Sequence, residues 1–434
     1  MHPPVSFPAR TLRKGAMQRF LHLADIHLDS SPNGRLADTV EALRRAGNLA
    51  HDRAVDAVLI AGDLVERLGR PMQPAERNAL RRAVGRFADR ECSVFVVAGN
   101  HDLPGDIAHL ADLRGEGLIH VTERPGTWTQ RGGCGAEWTD LADAARWTRA
   151  LALDREPMTL IVHALPWPRR SWLLADRAAA PTTLTGLAER TTAALREVLA
   201  ALRERTVAAR VAAPDATVIL LSHVNVRGAT VANGQTMIGT DVEVGWFDLD
   251  EVGADYVALG HVHKRQSFSP RVWYPGSPCP RNFGEPERDH GGLLVEAGPG
   301  REPAVEKIVL APVALVTVEA TFERGAGALR VAVGGIVPPC DVRVRYEVSE
   351  EDAPAAMRAE AACRELLGAD VRSVVFDASV APKRTERSRE VAAARTVVEK
   401  LAAYWDATDA ESDPARRERL GAKLATLQAA REDA

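Results

Sequence analysis

The stretch Val97–Asp106, "VAGNHDLPGD", decides how this chain is read. A short apolar run passes directly into Asn100, His101 and Asp102, and Pro104 and Gly105 then break the chain. Each of those three polar side chains is able to hold a metal or a phosphate. The pattern recurs: "RFLHLADIH" ends at Asp25 and His27, "AVDAVLIAGD" at Asp63, "ATVILLSH" at His223, and "ADYVALGHVH" at His261 and His263. Continuous apolar strands of this kind belong to sheets buried on both faces. Helical patterns fall between the first of them, at 38–53 and 74–90, the second with Leu80, Val84 and Phe87 on one stripe. The expected class is α/β, with helices flanking the sheets and ligand chemistry at the carboxyl ends of the strands.

A chain of 434 residues exceeds one ordinary core and implies two or three domains. Its 46% hydrophobic and 26% charged residues are those of a globular protein. With 55 basic and 59 acidic residues the net charge is −4, which excludes a globally basic nucleic-acid binder. Any contact with DNA then needs a local patch, metal ions or a partner subunit. No apolar run approaches the roughly 20 residues that span a bilayer, so no membrane role is expected. Residues 1–16 read as a disordered extension without the pattern of a secretory signal, and Met17 is an alternative start. The five cysteines, Cys92, Cys134, Cys279, Cys340 and Cys363, form no CxxC, which points to a reducing cytoplasm and away from thiolate zinc sites.

The first long domain is expected at 17–300. Its 125–214 portion is less regular, holding one strand, "PMTLIVHALPW", and one long Ala/Leu/Arg helix. At 312–380 the strands alternate apolar and polar residues around a helix at 354–367, as a small α+β domain does. From 385 to 434 the chain is charged and helical, with Asp413 and Pro414 as a helix start.

The residues at the strand ends supply carboxylates, an amide and imidazoles but no thiolate, a donor set suited to Mn²⁺, Fe or Zn²⁺. Two divalent ions about 3.5–4 Å apart are commonly bridged by one carboxylate, and Asp63 is the natural bridge. One ion would take Asp25, His27 and His263, the other Asn100, His223 and His261. That division requires the chain to turn after Gly260. Phosphoester hydrolysis is the expected reaction. His101 is left as a non-ligand that stabilises the transition state or protonates the leaving oxygen, with Asp102 to orient it.

His163 also ends an apolar strand and competes with His223; the polar, Gly-containing loop that follows favours His223. His22, His51, His109, His120 and His290 read as structural, and Asp29 and Asp106 as loop acids. Trp128, Trp138, Trp147, Trp167 and Trp172 either stack on bases or, the preferred reading, pack locally. Lys264 and Arg265, with Arg169, Arg170 and Arg177, form either a substrate-phosphate patch or a solvated face.

The ordered set "DIH", "GD", "GNHD", "SH" and "GHVH" resembles the calcineurin-like metallophosphoesterase superfamily. Within it, "FLHLADIHLD", "VHALPW", "YVALGHVHKRQ" and "YPGSPCPRNFGE" are similar to the SbcD-type nucleases, relatives of the Mre nucleases of double-strand-break repair. The likeness runs from Gln18 to Glu296 by motif and farther by architecture; Ser222 departs from the family's usual glycine. It implies a metallophosphoesterase β-sandwich flanked by helices at 17–300, a capping domain at 312–380 and a partner-binding helical segment at 385–434. It further implies two Mn²⁺ ions, exonuclease and endonuclease action on DNA, and a cytoplasmic homodimer joined to an SbcC-type coiled-coil ATPase in a heterotetramer. Two other functions compete: a nucleotide phosphodiesterase or phosphatase of the same fold, and a non-catalytic scaffold. The residues beyond 300 argue against the former, the complete ligand set against the latter.

Overall fold

The computed structural model describes residues 17–32, 34–66, 72–88, 92–113, 118–132, 135–152, 156–174, 184–231, 242–285, 290–332, 336–368, 371–381, 391, 393–408 and 413–432. The expected extension at 1–16 and Arg177 lie outside them. The chain folds as two compact units: Met1–Glu319 with Ala332–Val344 and Glu365–Val375, and Ala320–Val331 with Arg345–Arg364 and Phe376–Ala434.

The first unit is a two-sheet sandwich. Strands β1 (Gln18–Leu23), β2 (Ala57–Ala61), β3 (Ser93–Val97) and β4 (Ile119–Thr122) run parallel, with helices α1 (Leu36–Asp52) and α2 (Pro74–Ala88) in the crossovers. A short parallel pair, β9 (Asn225–Val226) and β10 (Glu243–Val244), comes after residue 223. The second sheet is built on β5 (Gly126–Arg131), β6 (Ala136–Asp140), β7 (Met158–Leu165), β8 (Thr217–His223), β11 (Tyr256–Gly260), β12 (Gln266–Ser267) and β13 (Val272–Tyr274). Its order is β12-β13-β11-β8-β7-β5-β6, and β7, β8, β11 and β13 are parallel. Strands β14 (Gly291–Ala297) and β15 (Ala304–Val309) add to the first sheet antiparallel, giving β15-β14-β1-β2-β3-β4.

Side-chain alternation between two covered faces explains why β2, β3 and β8 are almost wholly apolar. Phe20, Leu59, Phe95, Ile219, Leu221 and Tyr256 point into the space between the sheets. Their neighbours Leu21, Val58, Val94 and Val96 point outward onto α1 and α2. On the far side Val218 and Leu220 pack beneath Leu195, Leu199 and Leu202 of the helix Leu184–Ala212, the long helix read from the sequence. Every face of the central strands is thereby covered, and only their ends remain for polar chemistry.

Among the tryptophans, Trp128 and Trp147 are core residues: Trp128 lies 4.8 Å from Trp138 and 5.5 Å from Phe95, and Arg205 sits over Trp147. Strands β16 (Ala314–Glu323), β17 (Ala328–Val331), β18 (Cys340–Ser349) and β19 (Val371–Ala381) form a four-stranded sheet in the order β17-β16-β18-β19. In the second unit, Tyr346 donates to Glu360 at 2.8 Å, and Arg324 pairs with Asp352 at 2.7 Å. The helices Val397–Thr408 and Pro414–Glu432 close that unit, with Val397 and Tyr404 about half exposed. Among the described residues, no helix is long and apolar enough to cross a membrane.

Two imidazoles are buried against hydroxyl and carbonyl partners rather than carboxylates. His22 bonds the Tyr256 hydroxyl and the Leu259 carbonyl; His163 lies between the hydroxyls of Thr127 and Thr206. Burial pushes both down to about 3. The unfolded chain takes up these protons near pH 6.5, so acidification below that value favours unfolding, by about 1.4 kcal/mol per pH unit for each imidazole. Denaturant titrations of the metal-free protein between pH 7 and 4 are expected to show stability falling as pH falls. His163→Gln is expected to lower the slope; an unchanged slope would locate the proton uptake elsewhere.

Candidate metal centre

The strand ends converge because the backbone abandons extended geometry there. Asp25, His27 and Asp63 adopt φ of 52°, 47° and 52°, and His261 adopts 115°. Left-handed backbone is rare outside glycine and clusters where surrounding structure over-determines it. Here the β1–β2 pairing continues past both strands: Asp25 N–H donates to the Gly62 carbonyl at 3.1 Å, His27 N–H to Asp63 at 2.9 Å and Leu28 N–H to Leu64 at 3.0 Å. Two glycines permit the close approach. A Cβ on Gly99 would stand 2.0 Å from Asp63 Oδ1, and one on Gly260 would stand 1.8 Å from the Ala61 carbonyl oxygen.

The structure gathers Asp25, His27 and His263 into one group whose donor atoms lie within 4.8 Å of one another, and Asp63, His223 and His261 into a second. Asp63 reaches toward both: its Oδ2 is 3.3 Å from His223 Nε2 and 3.7 Å from His27 Nε2. Asn100 Oδ1 lies 3.0 Å from His223 Nε2 and 3.1 Å from His261 Nδ1. Asp25 accepts the His261 backbone N–H at 2.9 Å. His163, held by its two threonines, is not among them.

Imidazole orientation tests whether these residues fit cations. His27 Nδ1 lies 3.0 Å from Glu66, His263 Nδ1 2.9 Å from Glu285 and His223 Nδ1 2.6 Å from the Ala61 carbonyl oxygen. Metal-ligating histidines characteristically give their second nitrogen to a carboxylate or carbonyl in this way. His27 and His263 then turn their Nε2 atoms toward each other at 3.1 Å. His263 Nδ1 is bonded to Glu285 and His27 Nδ1 faces the Glu66 carboxylate, and with the Nδ1–H tautomer on both rings two Nε2 lone pairs face one point, where a cation satisfies them both. The donor set of carboxylate, amide and imidazole suits first-row divalent ions.

Charges at the centre are tightly coupled. Burial pushes Asp25 up to about 6. Burial also opposes charge at Asp63, but His223, His27 and His101 more than offset it and hold the carboxyl well below its ordinary value. His223 responds in kind: burial works against its proton, yet Asp63 raises it to about 9. His261 is pushed down to about 3 by burial.

His101 is 27% exposed through its side chain, whereas His27 and His223 are closed off. Its Nδ1 lies 3.1 Å from Glu66 Oε1. Burial disfavours its proton, but Glu66 and Asp63 raise the ring above its ordinary value. Glu66 does not stand out in the sequence, although it comes only three residues after Asp63 in "GDLVE". Its carboxylate is shared by His101, His27 and Arg281, the last at 2.6 Å.

Two expected roles are corrected. Asp102 does not orient His101: it is fully buried and accepts the backbone N–H groups of Leu64 at 3.0 Å and Gly99 at 2.8 Å, so it anchors the loop that presents its neighbours. Arg265, expected in a substrate-phosphate patch, is turned toward backbone carbonyls instead. Its guanidinium donates to the carbonyls of Pro275 and Ile308, at 3.1 and 3.0 Å, because the chain after His263 turns back into the protein. Arg169 is likewise bonded to the carbonyls of Gly99 and Asp102. Lys264 is half-buried beside this turn. Trp167 lines the centre, its ring 4.8 Å from that of His261.

A two-sheet sandwich with Asp/His clusters at its strand ends is the kind of scaffold a metal-dependent phosphoester hydrolase uses, and comparisons with known proteins point the same way. The family Calcineurin-like phosphoesterase matches residues 18–265, and the chain belongs to that family. It is an enzyme of phosphoester hydrolysis. It is 26% identical to the SbcD component of nuclease SbcCD from Bacillus subtilis (strain 168) over 306 residues, 67% of this chain and 69% of that protein. The SbcD component from Escherichia coli (strain K12) is 24% identical over 67% of this chain and 68% of its own length. The "Uncharacterized metallophosphoesterase YhaO" of Bacillus subtilis is 27% identical over 65% of this chain and 58% of its own.

Removing the Asp102 anchor is expected to weaken the loop. Asp102→Asn places an amide N–H₂ against one of two backbone donors, and urea denaturation of the metal-free protein is expected to show a loss of about 1–3 kcal/mol. Unchanged stability would mean that another group holds the loop.

Proposed function

We propose that this chain is the nuclease component of a DNA-end-processing assembly, hydrolysing DNA phosphodiesters with two divalent ions, Mn²⁺ foremost. The observation that carries this reading is the pairing of two Asp/His groups across Asp63, with His101 beside them on a carboxylate of its own. Asp25, His27 and His263 would hold one ion; Asn100, His223 and His261 the other, with Asp63 between. Bound ions would supply Lewis-acid charge and an acidified water. The protein's own groups do the remainder. Glu66, 3.1 Å from His101 Nδ1, strengthens that ring's hold on its proton, and Nε2–H would then donate to the departing oxygen. Asn100 and the Asp102-anchored loop set the distance between His101 and the ligands.

DNA is favoured over a mononucleotide because likeness to the SbcD components covers two thirds of the chain, more than the phosphoesterase span alone. On this reading, residues 312–380 cap the site and select DNA, Lys264 contacts a phosphate, and the helices after 385 dock a coiled-coil ATPase of the SbcC type. The assembly contains two copies of each polypeptide and works in the cytoplasm.

Degradation of end-labelled duplex DNA in Mn²⁺ tests the proposal. Wild type is expected to cut. Asp63→Asn is expected to lose both bound metal and cutting. His101→Ala is expected to keep its metal while slowing about 10²- to 10⁴-fold. Hydrolysis of a small phosphodiester with DNA left intact would transfer the assignment to a nucleotide phosphodiesterase.

A further inference from the structure

The segment Pro275–Glu285, "PGSPCPRNFGE", supplies no ligand to the proposed metal centre, yet it meets the centre at two points. Glu285, with a side chain only 1% exposed, receives His263 Nδ1 on Oε1 at 2.9 Å and the Arg281 backbone N–H on Oε2 at 2.7 Å. Arg281 in turn donates to Glu66 at 2.6 Å and to the His27 carbonyl at 2.5 Å. Glutamate is almost never fully buried unless paired, and here its partner is the outer nitrogen of an imidazole. That bond decides which nitrogen of His263 carries the proton. With Nδ1–H given to Glu285, the Nε2 lone pair faces His27 Nε2 across 3.1 Å.

We infer that Glu285 is a positioning residue that presets the Nδ1–H tautomer and the ring plane of His263, and that Arg281 couples this to the Glu66-held orientation of His27. The subsite of Asp25, His27 and His263 is thus built before a cation arrives. The inference rests on the metal reading proposed above. It does not reduce to holding the segment in place, because the backbone already does so: Ser277 N–H donates to the His263 carbonyl at 3.1 Å, and Gly291 N–H to the Ser277 carbonyl at 3.1 Å.

Two readouts on the full chain test it. In metal-free protein labelled with ¹⁵N in histidine, long-range ¹H–¹⁵N spectra distinguish the two tautomers, with His263 assigned by the signal missing from His263→Asn. Wild type is expected to show a single Nδ1–H form. Glu285→Leu, which offers no acceptor, is expected to show a mixture or the Nε2–H form. Calorimetric titration with Mn²⁺ is then expected to show about 10- to 100-fold weaker binding at one site. Glu285→Gln has one acceptor oxygen for two donors and is expected to fall between; it carries the test if the leucine variant does not fold. A variant that keeps both the wild-type tautomer and wild-type affinity overturns the inference and leaves the metal reading standing. Wild type that binds no Mn²⁺ overturns the metal reading and the inference together.

Discussion

The centre depends on one carboxylate. Asp63 accepts the His101 backbone N–H on Oδ1 at 2.8 Å and turns Oδ2 toward His223 and His27, so a single side chain fixes the loop of β3 against residues from β1 and β8. Its position follows from a left-handed turn at the end of β2 and from the absence of a side chain at Gly99. Any bulk there would push the carboxylate out of the only place from which it reaches both groups. Burying such a charge without partners is prohibitively costly, and the histidines around it are what make the burial tolerable.

The two-sheet architecture exists to bring those partners together. β1, β2 and β3 end on one side of the sandwich, β8 and β11 on the other, all with their carboxyl ends at the same edge. The apolar layer between the sheets, from Phe20 and Phe95 to Ile219 and Tyr256, sets their spacing and keeps water from reaching the centre from below. Around the clustered Asp and His side chains lies a ring of acceptors: Glu285 and the Ala61 carbonyl each hold an imidazole by its outer nitrogen, and Glu66 faces that of His27 at 3.0 Å. Rigid strands place these side chains coarsely, and these bonds place them finely.

Much of this is legible in the sequence because burial on both faces leaves a signature. A run such as "AVLIA" with no alternation, ending in a polar residue, marks a central strand and its functional end together. The alternation of strands with helices implies the layering, and Leu80, Val84 and Phe87 mark the buried stripe of α2. The partners of the ligands are not legible, since Glu285 and Arg281 meet His263 and Glu66 only through the fold. Asp102 misleads for a related reason. Adjacency to His101 suggests a pair, but in the tight loop its carboxylate turns back to Leu64 and Gly99. Arg265, adjacent in sequence to the ligands, faces carbonyls for the same reason. Neighbours in sequence at a strand end diverge in space, and a charge alone does not tell which way it points.

The proposed centre stands or falls on whether Asp63 joins two cation subsites. Anomalous scattering from crystals of the Mn²⁺-loaded protein tests it most directly. The expected result is two peaks about 3.5–4 Å apart, one against Asp25, His27 and His263 and one against Asn100, His223 and His261, with the Asp63 carboxylate between them. A single peak, or density gathered at Glu66 and His101 with Asp63 unbound, would contradict it.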